Sequence, residues 1–157
     1  MSLEHSLLSA IASELAPSGF ESRSVPPSIG DVEVVCVWAR KTWNTNRAVA
    51  VLRAPPNASL GPLSQSLKIE LGKAIGYFPF FYGIGLQIVW LGHGIVPLSS
   101  DLGAYVDKID NQRSIIQSLF VVDLDRRTSE SARTWGQVIT GKFQDAIERG
   151  IGIALAF

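Results

Sequence analysis

Two apolar segments separated by a short polar loop constrain the fold of this chain more than any other feature. The first covers residues 31–40 and the second covers residues 47–54. Within residues 32–38 both alternating sets of side chains are mostly apolar, which is typical of a strand that is covered on both faces. The intervening loop is short enough for a hairpin. The pattern therefore predicts two adjacent buried strands, and it says little about chemistry.

Periodic apolar residues predict helices around these strands. Leucine and isoleucine residues spaced by three and four predict a first helix over residues 3–15, which the Pro17 region ends. The same spacing predicts a second helix over residues 63–75 and a third near the carboxyl terminus, over residues 143–154. Residues 20–25 can form a short strand, residues 86–91 predict another buried strand, and residues 114–124, which are apolar and rich in Ile and Val, are a strong strand candidate. A brief helix is predicted at 102–109, whereas 130–139 fits either a strand or the start of the last helix.

The order of these elements indicates the fold class. Helices that alternate with apolar strands predict an α/β domain, with α+β as the alternative, in which a mixed central sheet is flanked by helices. A length of 157 residues with 46% hydrophobic residues suits one globular domain that spans residues 1–157.

The composition indicates which class of protein this is and where in the cell we expect it. Fourteen basic residues balance fourteen acidic ones without a block of like charge, so the footprint of a general nucleic-acid binder is missing, although a local basic patch fits this composition. The single cysteine, Cys36, lies in an apolar segment and predicts a buried thiol in a reducing cytoplasm. The longest apolar run, residues 75–91, is broken by Pro79 and Gly83 and falls short of the roughly 20 residues of a membrane span. We therefore expect a soluble cytoplasmic protein.

The order helix, strands, helix, strand in the amino-terminal part of the chain resembles the core of the restriction-endonuclease-like (PD-(D/E)XK) superfamily. In that family an Asp at the start of the second core strand, and an acid followed two residues later by Lys on the third, bind a divalent metal that activates water. The resemblance places Asp31 as the first acid. The tripeptide on the next strand reads Val51, Leu52, Arg53, so the second acid is absent and arginine replaces lysine. Valine offers no ligand oxygen and arginine is no tunable base, so the usual metal site is incomplete.

A migrated carboxylate would complete that site. Glu33 lies on the same strand face as Asp31 because the side-chain period of a strand is two, and Glu70 lies on the following helix. The alternative function is therefore a divalent-metal-dependent nuclease or phosphoester hydrolase. Its catalytic residues would be Asp31, Glu33, Arg53 and Glu70, with Mg²⁺ as cofactor, Arg53 as an electrostatic clamp and nucleic acid as a partner.

Two further segments carry groups found in active sites. Asp123 and Asp125, followed by two arginines, match the spacing of some metal sites and equally match a charge-balanced surface turn. His93 between glycines fits a base in a cleft or an ordinary turn. The sequence has no zinc-ligand pattern, dinucleotide fingerprint or nucleophile elbow, so neither a metal site nor a cofactor is assigned.

Aromatic and basic residues supply the binding candidates. Trp43 and Arg47 combine a ring with a cation in and beside one polar loop. The rings of residues 77–82 either cover the core or form an exposed interface; they are Tyr77, Phe78, Phe80, Phe81 and Tyr82. The leading prediction is a noncatalytic protein-interaction or regulatory module that binds a partner protein or associates with itself. A binder of a small apolar ligand is the third hypothesis.

Overall fold

The computed structural model describes residues 1–41, 45–76, 83–94, 101–108, 114–133 and 137–157. Three helices are present in these ranges: α1 Leu3–Leu15, α2 Leu60–Ile75 and α3 Gln137–Leu155. The strands of the same ranges are β1 Glu21–Ser22, β2 Ser28–Ile29, β3 Val32–Lys41, β4 Thr45–Arg53, β5 Gly83–Gly92, β6 Ser114–Asp123 and β7 Thr128–Arg133. Two short 3-10 turns within the described residues lie at Ala16–Ser18 and Leu102–Tyr105.

The strands form one mixed sheet in the order β1, β3, β4, β5, β6, β7, and β2 pairs with β3 beside this path. Strands β3 and β4 form an antiparallel pair, as the sequence predicts. Strands β4, β5 and β6 are parallel to one another, and β7 returns antiparallel to β6. With helices on the sheet, this architecture confirms the predicted α/β class.

The parallel strands bring three carboxyl ends to one edge of the sheet. The chain passes from β4 through α2 to β5, and a crossover connection of this kind makes neighbouring strands parallel. The strands end at Arg53, Gly92 and Asp123, and Gly92 is the register partner of Asp123. Ligand sites in α/β proteins lie at this edge.

Both faces of the sheet are covered by helices. On one face α2 packs over buried residues of the central strands, including Ala50, Leu52, Ile88 and Trp90. On the other face α1 and α3 pack over a second set, including Leu7, Ile11, Val49, Val89 and Ile147. Burial on both faces explains why the central strands have apolar residues at successive positions.

Helices α1 and α3 meet at a glycine. A Cβ atom added at Gly150 would lie 2.7 Å from the Cα atom of Ile11, which is closer than side chains pack against a backbone. The absence of a side chain at this one position therefore permits the close approach of the two helices.

A polar network lies inside the sheet under α3. The Gln87 side chain donates to Oε1 of Gln117 at 2.7 Å, and its own Oε1 accepts the hydroxyl proton of Ser118. The Gln144 side chain of α3 donates to the backbone oxygen of Gln117 at 3.1 Å. The β5–β6 register shifts at this point, since Leu86 and Gln87 face residues on either side of Gln117. These bonds satisfy the amide of Gln87, which would be costly to bury alone, whereas the side-chain oxygen of Gln144 has no hydrogen-bond partner among the described residues.

Two predicted elements, at 20–25 and 102–109, differ from the structure. The predicted short strand at 20–25 is only two residues of pairing at β1, beside the prolines of the following link. Residues 130–139, for which the sequence predicts either a strand or the start of the last helix, contain the end of β7 and the beginning of α3. No helix in the described ranges is long and apolar enough to cross a membrane.

The predicted helix over 102–109 is a four-residue 3-10 turn, and the prediction of a longer helix there is wrong for the described positions. The backbone of Val106 is already extended, and the Asp107 carboxylate accepts the backbone N–H of Ile116 at 2.7 Å. This contact with β6 holds the chain in an extended path. Gly103 also lowers the helix propensity of the segment.

Candidate functional site at the carboxyl edge of the sheet

Arg53, the last residue of β4, binds two carboxylates from different elements. Its guanidinium donates to both oxygens of Glu4, at 2.7 and 3.0 Å, and lies 3.6 Å from Oε1 of Glu33. Glu4 comes from the first turn of α1 and Glu33 from the start of β3. We call these three residues the Arg53 cluster. Two parallel N–H···O bonds to one carboxylate are the geometry that arginine forms best.

The electrostatics of the Arg53 cluster favour the charged form of each group. The hydrogen bond from Arg53 lowers the pKa of Glu4 from its ordinary value of 4.5, although burial opposes this shift. The hydrogen bond to Glu4 in turn raises the pKa of Arg53. Glu4 also lies in the first turn of α1, where the partial positive charge of a helix amino terminus favours a carboxylate.

The structure brings together only some of the residues expected for a metal-dependent hydrolase. Glu33 and Arg53 meet in the Arg53 cluster, and Glu4 joins them. Asp31 is exposed in the turn before β3, and Glu70 is exposed on α2. Neither side chain has a hydrogen bond or ion pair within the described part of the chain. In the same ranges, no three His, Cys, Asp or Glu side chains are grouped so that they could hold a metal ion.

A cleft of about 840 Å³ opens beside Arg53. Its walls are the loop between β4 and α2, the first turn of α2, the end of β5 and the 3-10 turn Leu102–Tyr105. Its apolar lining includes Pro55, Pro56, Leu60, Leu102 and Tyr105, and its polar lining includes Arg53, Asn57, Ser59, His93 and Asp101. The cleft combines apolar walls with a few polar groups, as small-ligand and peptide sites do.

Tyr105 forms a fixed wall of this cleft because it rests on a glycine. A Cβ atom added at Gly61 would clash with the Tyr105 ring, so the ring packs directly on the α2 backbone. The carbonyl oxygen of Tyr105 accepts a hydrogen bond from the Gln65 side chain at 2.7 Å. Two residues later, Asp107 accepts from Lys68 of α2 at 3.1 Å. These two hydrogen bonds therefore hold Tyr105 and Asp107 against α2.

Asp123 organises the turn that follows β6. Its Oδ1 atom accepts the backbone N–H groups of Gly94, Asp125 and Arg126 at 3.0 to 3.2 Å. Burial raises the pKa of Asp123, and these backbone donors outweigh that effect and lower it. His93 lies beside this turn, with its Nδ1 2.6 Å from Oδ1 of Asp125, and both side chains are mostly exposed. The two predicted acids therefore support a turn at the rim of the cleft.

The remaining predicted residues are placed as follows. Cys36 is half-buried, and burial raises the pKa of its thiol to about 12, so the thiol is protonated at neutral pH. Arg47 lies on β4 at the opposite end of the strand from Arg53. Trp43 and the aromatic residues Tyr77, Phe78, Phe80, Phe81 and Tyr82 lie outside the described residues.

Sequence reasoning missed Glu4 and Tyr105. Glu4 was visible only as an acid at the start of a periodic helix, and no local pattern shows which strand end that helix faces. Tyr105 was visible as an aromatic residue in a weak helix pattern. Both reach the site through long-range packing, which a single sequence does not encode in its local spacing.

Comparisons with protein-family models, with curated proteins and with solved structures returned no match for this chain.

Proposed function

We propose that the chain is a noncatalytic protein-interaction module whose cleft binds an extended segment of a partner protein. The observation that carries this proposal is Arg53, which is held by two carboxylates at the edge of an open cleft. The proposal combines the charge state of the Arg53 cluster with the shape and lining of the cleft.

The Arg53 cluster supports a noncatalytic role. A hydrolase of the type considered would use carboxylates at this strand end to hold a divalent cation. Here the guanidinium supplies the positive charge between Glu4 and Glu33, and it takes up both oxygens of Glu4. Arginine stays protonated and accepts no proton, so it serves neither as a ligand nor as a base. The competing hydrolase hypothesis requires Arg53 to leave both carboxylates before a metal can bind.

The cleft supports a peptide as the ligand. Its volume lies within the range of roughly 300–1,000 Å³ that is typical of binding pockets. Pro55, Pro56 and Tyr105 present rigid apolar surface that can bury an aliphatic or aromatic side chain with little loss of entropy. Asp101 and His93 at the polar rim can bind the backbone groups on either side of that anchor.

The proposed location in the cell rests on the cysteine content of the sequence. A lone cysteine with a protonated thiol fits a reducing compartment, so we propose a cytoplasmic location. Self-association and regulation of a partner are two ways in which such a module acts. The resemblance to the restriction-endonuclease-like superfamily stays a prediction, because no comparison bears on it.

A peptide-display experiment tests the proposal. A random peptide library is selected on the immobilised wild-type protein, and the enriched peptides are then measured by fluorescence anisotropy against Ser59→Trp. Ser59 is exposed, lines the cleft and makes no side-chain capping bond, so a large ring there blocks the cleft without removing a contact. We expect enriched peptides to share an apolar anchor and to bind Ser59→Trp at least about tenfold more weakly, a loss of about 1.4 kcal/mol.

The matched control is Ser9→Trp, which places the same ring at an exposed position of α1. Ser9→Trp should bind the peptides as the wild type does, and both variants should have the same thermal midpoint. Peptides without a shared anchor, or peptides that bind both variants equally, would show that the cleft is not the binding site.

A further inference from the structure

Three cations converge on one buried ring at the other end of β4. The guanidinium carbons of Arg40 and Arg47 lie 5.1 and 5.8 Å from the centroid of the Phe143 ring, and Nζ of Lys142 lies 5.1 Å from it. Phe143 is 1% exposed and packs edge-on against Phe20. We call the three cations and their ring the Phe143 cluster. Its members come from β3, β4 and α3.

The backbone itself forces two of these charges together. Arg40 and Arg47 are direct register partners in the antiparallel β3–β4 pair. Like charges directly opposite each other repel across a strand pair, and the face of an aromatic ring attracts each cation. Lys142, which is exposed, adds a third positive charge from the helix above.

Arg40 and Lys142 form no ion pair with an acidic side chain of the described residues. Within the described ranges, the ion pairs of other basic residues include those of Arg53, Lys68, Arg133 and Arg149, and none involves Arg40 or Lys142. Arg40 and Lys142 therefore contribute positive charge that no ion pair of the described residues balances, although the whole chain has a net charge of zero. Clustered positive charge of this kind attracts anions.

We propose that the Phe143 cluster binds a phosphate group, either free or carried by a single-stranded nucleic acid. Arginine forks match the oxygens of phosphate in two parallel bonds, and lysine adds a mobile point charge. Arg40 and Lys142, which form no ion pair within the described residues, supply positive charge that balances the anion. This site is separate from the cleft, because Arg47 and Arg53 lie at opposite ends of β4.

Thermal unfolding with and without tripolyphosphate tests the site. The titration is made at low ionic strength, and sodium chloride of equal ionic strength is the salt control. We expect tripolyphosphate to raise the midpoint of the wild type. Arg40→Gln and Lys142→Gln should each weaken the apparent affinity by about tenfold or more, since each removes a charged hydrogen-bond donor.

The matched controls are Lys73→Gln and Arg127→Gln, which remove exposed cations from α2 and from the β6–β7 turn. Both should keep the full tripolyphosphate response. The proposal is overturned if the wild type shows no response, or if the control variants lose as much of it as the cluster variants. It is also overturned if Arg40→Gln lowers the midpoint without the anion and keeps the response with it, because the cations would then be structural.

Anisotropy of a labelled oligothymidine distinguishes the two sources of phosphate. A nucleic-acid ligand predicts binding whose logarithmic salt slope falls by about 0.7 for each phosphate contact removed in Arg40→Gln or Lys142→Gln. A free-phosphate ligand predicts the tripolyphosphate response with no oligonucleotide binding. Absence of both signals at low salt contradicts the proposal.

Discussion

The ionic contact between Glu4 and Arg53 joins the first helix to the end of a central strand. The pair is bidentate, and each side chain is a little under one-third exposed, at 28% and 31%. Exposed pairs contribute little to stability because water and salt screen them, whereas a bidentate pair at a partly buried position contributes more. We expect a contribution of about 1 kcal/mol.

The lowered pKa of Glu4 makes this contribution depend on pH. A carboxyl group whose pKa is lower in the folded protein stabilises the fold above its unfolded value, here 4.5, and this stability is lost as the pH falls through the folded value. Glu4→Gln should therefore lower the free energy of unfolding by about 1 kcal/mol at pH 7, and the difference from wild type should shrink towards zero below pH 4.5. Urea unfolding across this pH range measures the difference.

The control for this residue is Glu70→Gln, since Glu70 is exposed on α2 and has no ion pair in the described part of the chain. It should change the unfolding free energy by less than about 0.5 kcal/mol at every pH. An effect of Glu4→Gln that is the same at pH 7 and at pH 3 would refute the role given to the ion pair.

At the scale of elements, the spacing of apolar residues predicts those helices and strands whose conformation depends on neighbouring residues in the sequence. The apolar spacing of the first fifteen residues predicted α1, and the two-sided apolar segments predicted the β3–β4 pair. The 3-10 turn was mispredicted because a distant contact, from Asp107 to the Ile116 backbone, decides its conformation. The site followed the same division: Arg53 and Glu33 were identified on their strands, whereas Glu4 depends on how α1 packs against the sheet.

The crossing of α1 and α3 yields a paired prediction. Gly150→Ala should destabilise the protein by about 1–2 kcal/mol, because the new Cβ meets the Ile11 backbone at 2.7 Å and overpacking outweighs the gain in helix propensity. Gly152→Ala, two residues further along α3, has open space around its Cβ and should stabilise the protein by about 0.5–1 kcal/mol. Chemical denaturation of the two variants measures both signs. Equal effects would mean that the helices do not meet at Gly150.

At the scale of the whole molecule, the sheet separates two charged regions along β4. The Arg53 cluster and the cleft lie at the carboxyl end of this strand, and the Phe143 cluster lies near its amino end. Helices cover both faces of the sheet, so polar groups that bind ligands lie at the strand ends. The sequence predicted the layered architecture but not this division, because the two ends are defined only when strands and helices pack together.

The measurement that most directly tests the noncatalytic interpretation is thermal unfolding of the wild type during titration with Mg²⁺ and Mn²⁺. A metal that binds the native state must raise the midpoint, by the equivalent of about 2.7 kcal/mol at one hundred times its dissociation constant. Because Arg53 already supplies the positive charge between Glu4 and Glu33, we predict no rise up to millimolar metal. A rise in the midpoint that disappears in Glu4→Gln or Glu33→Gln would contradict this account and would favour a metal-dependent hydrolase.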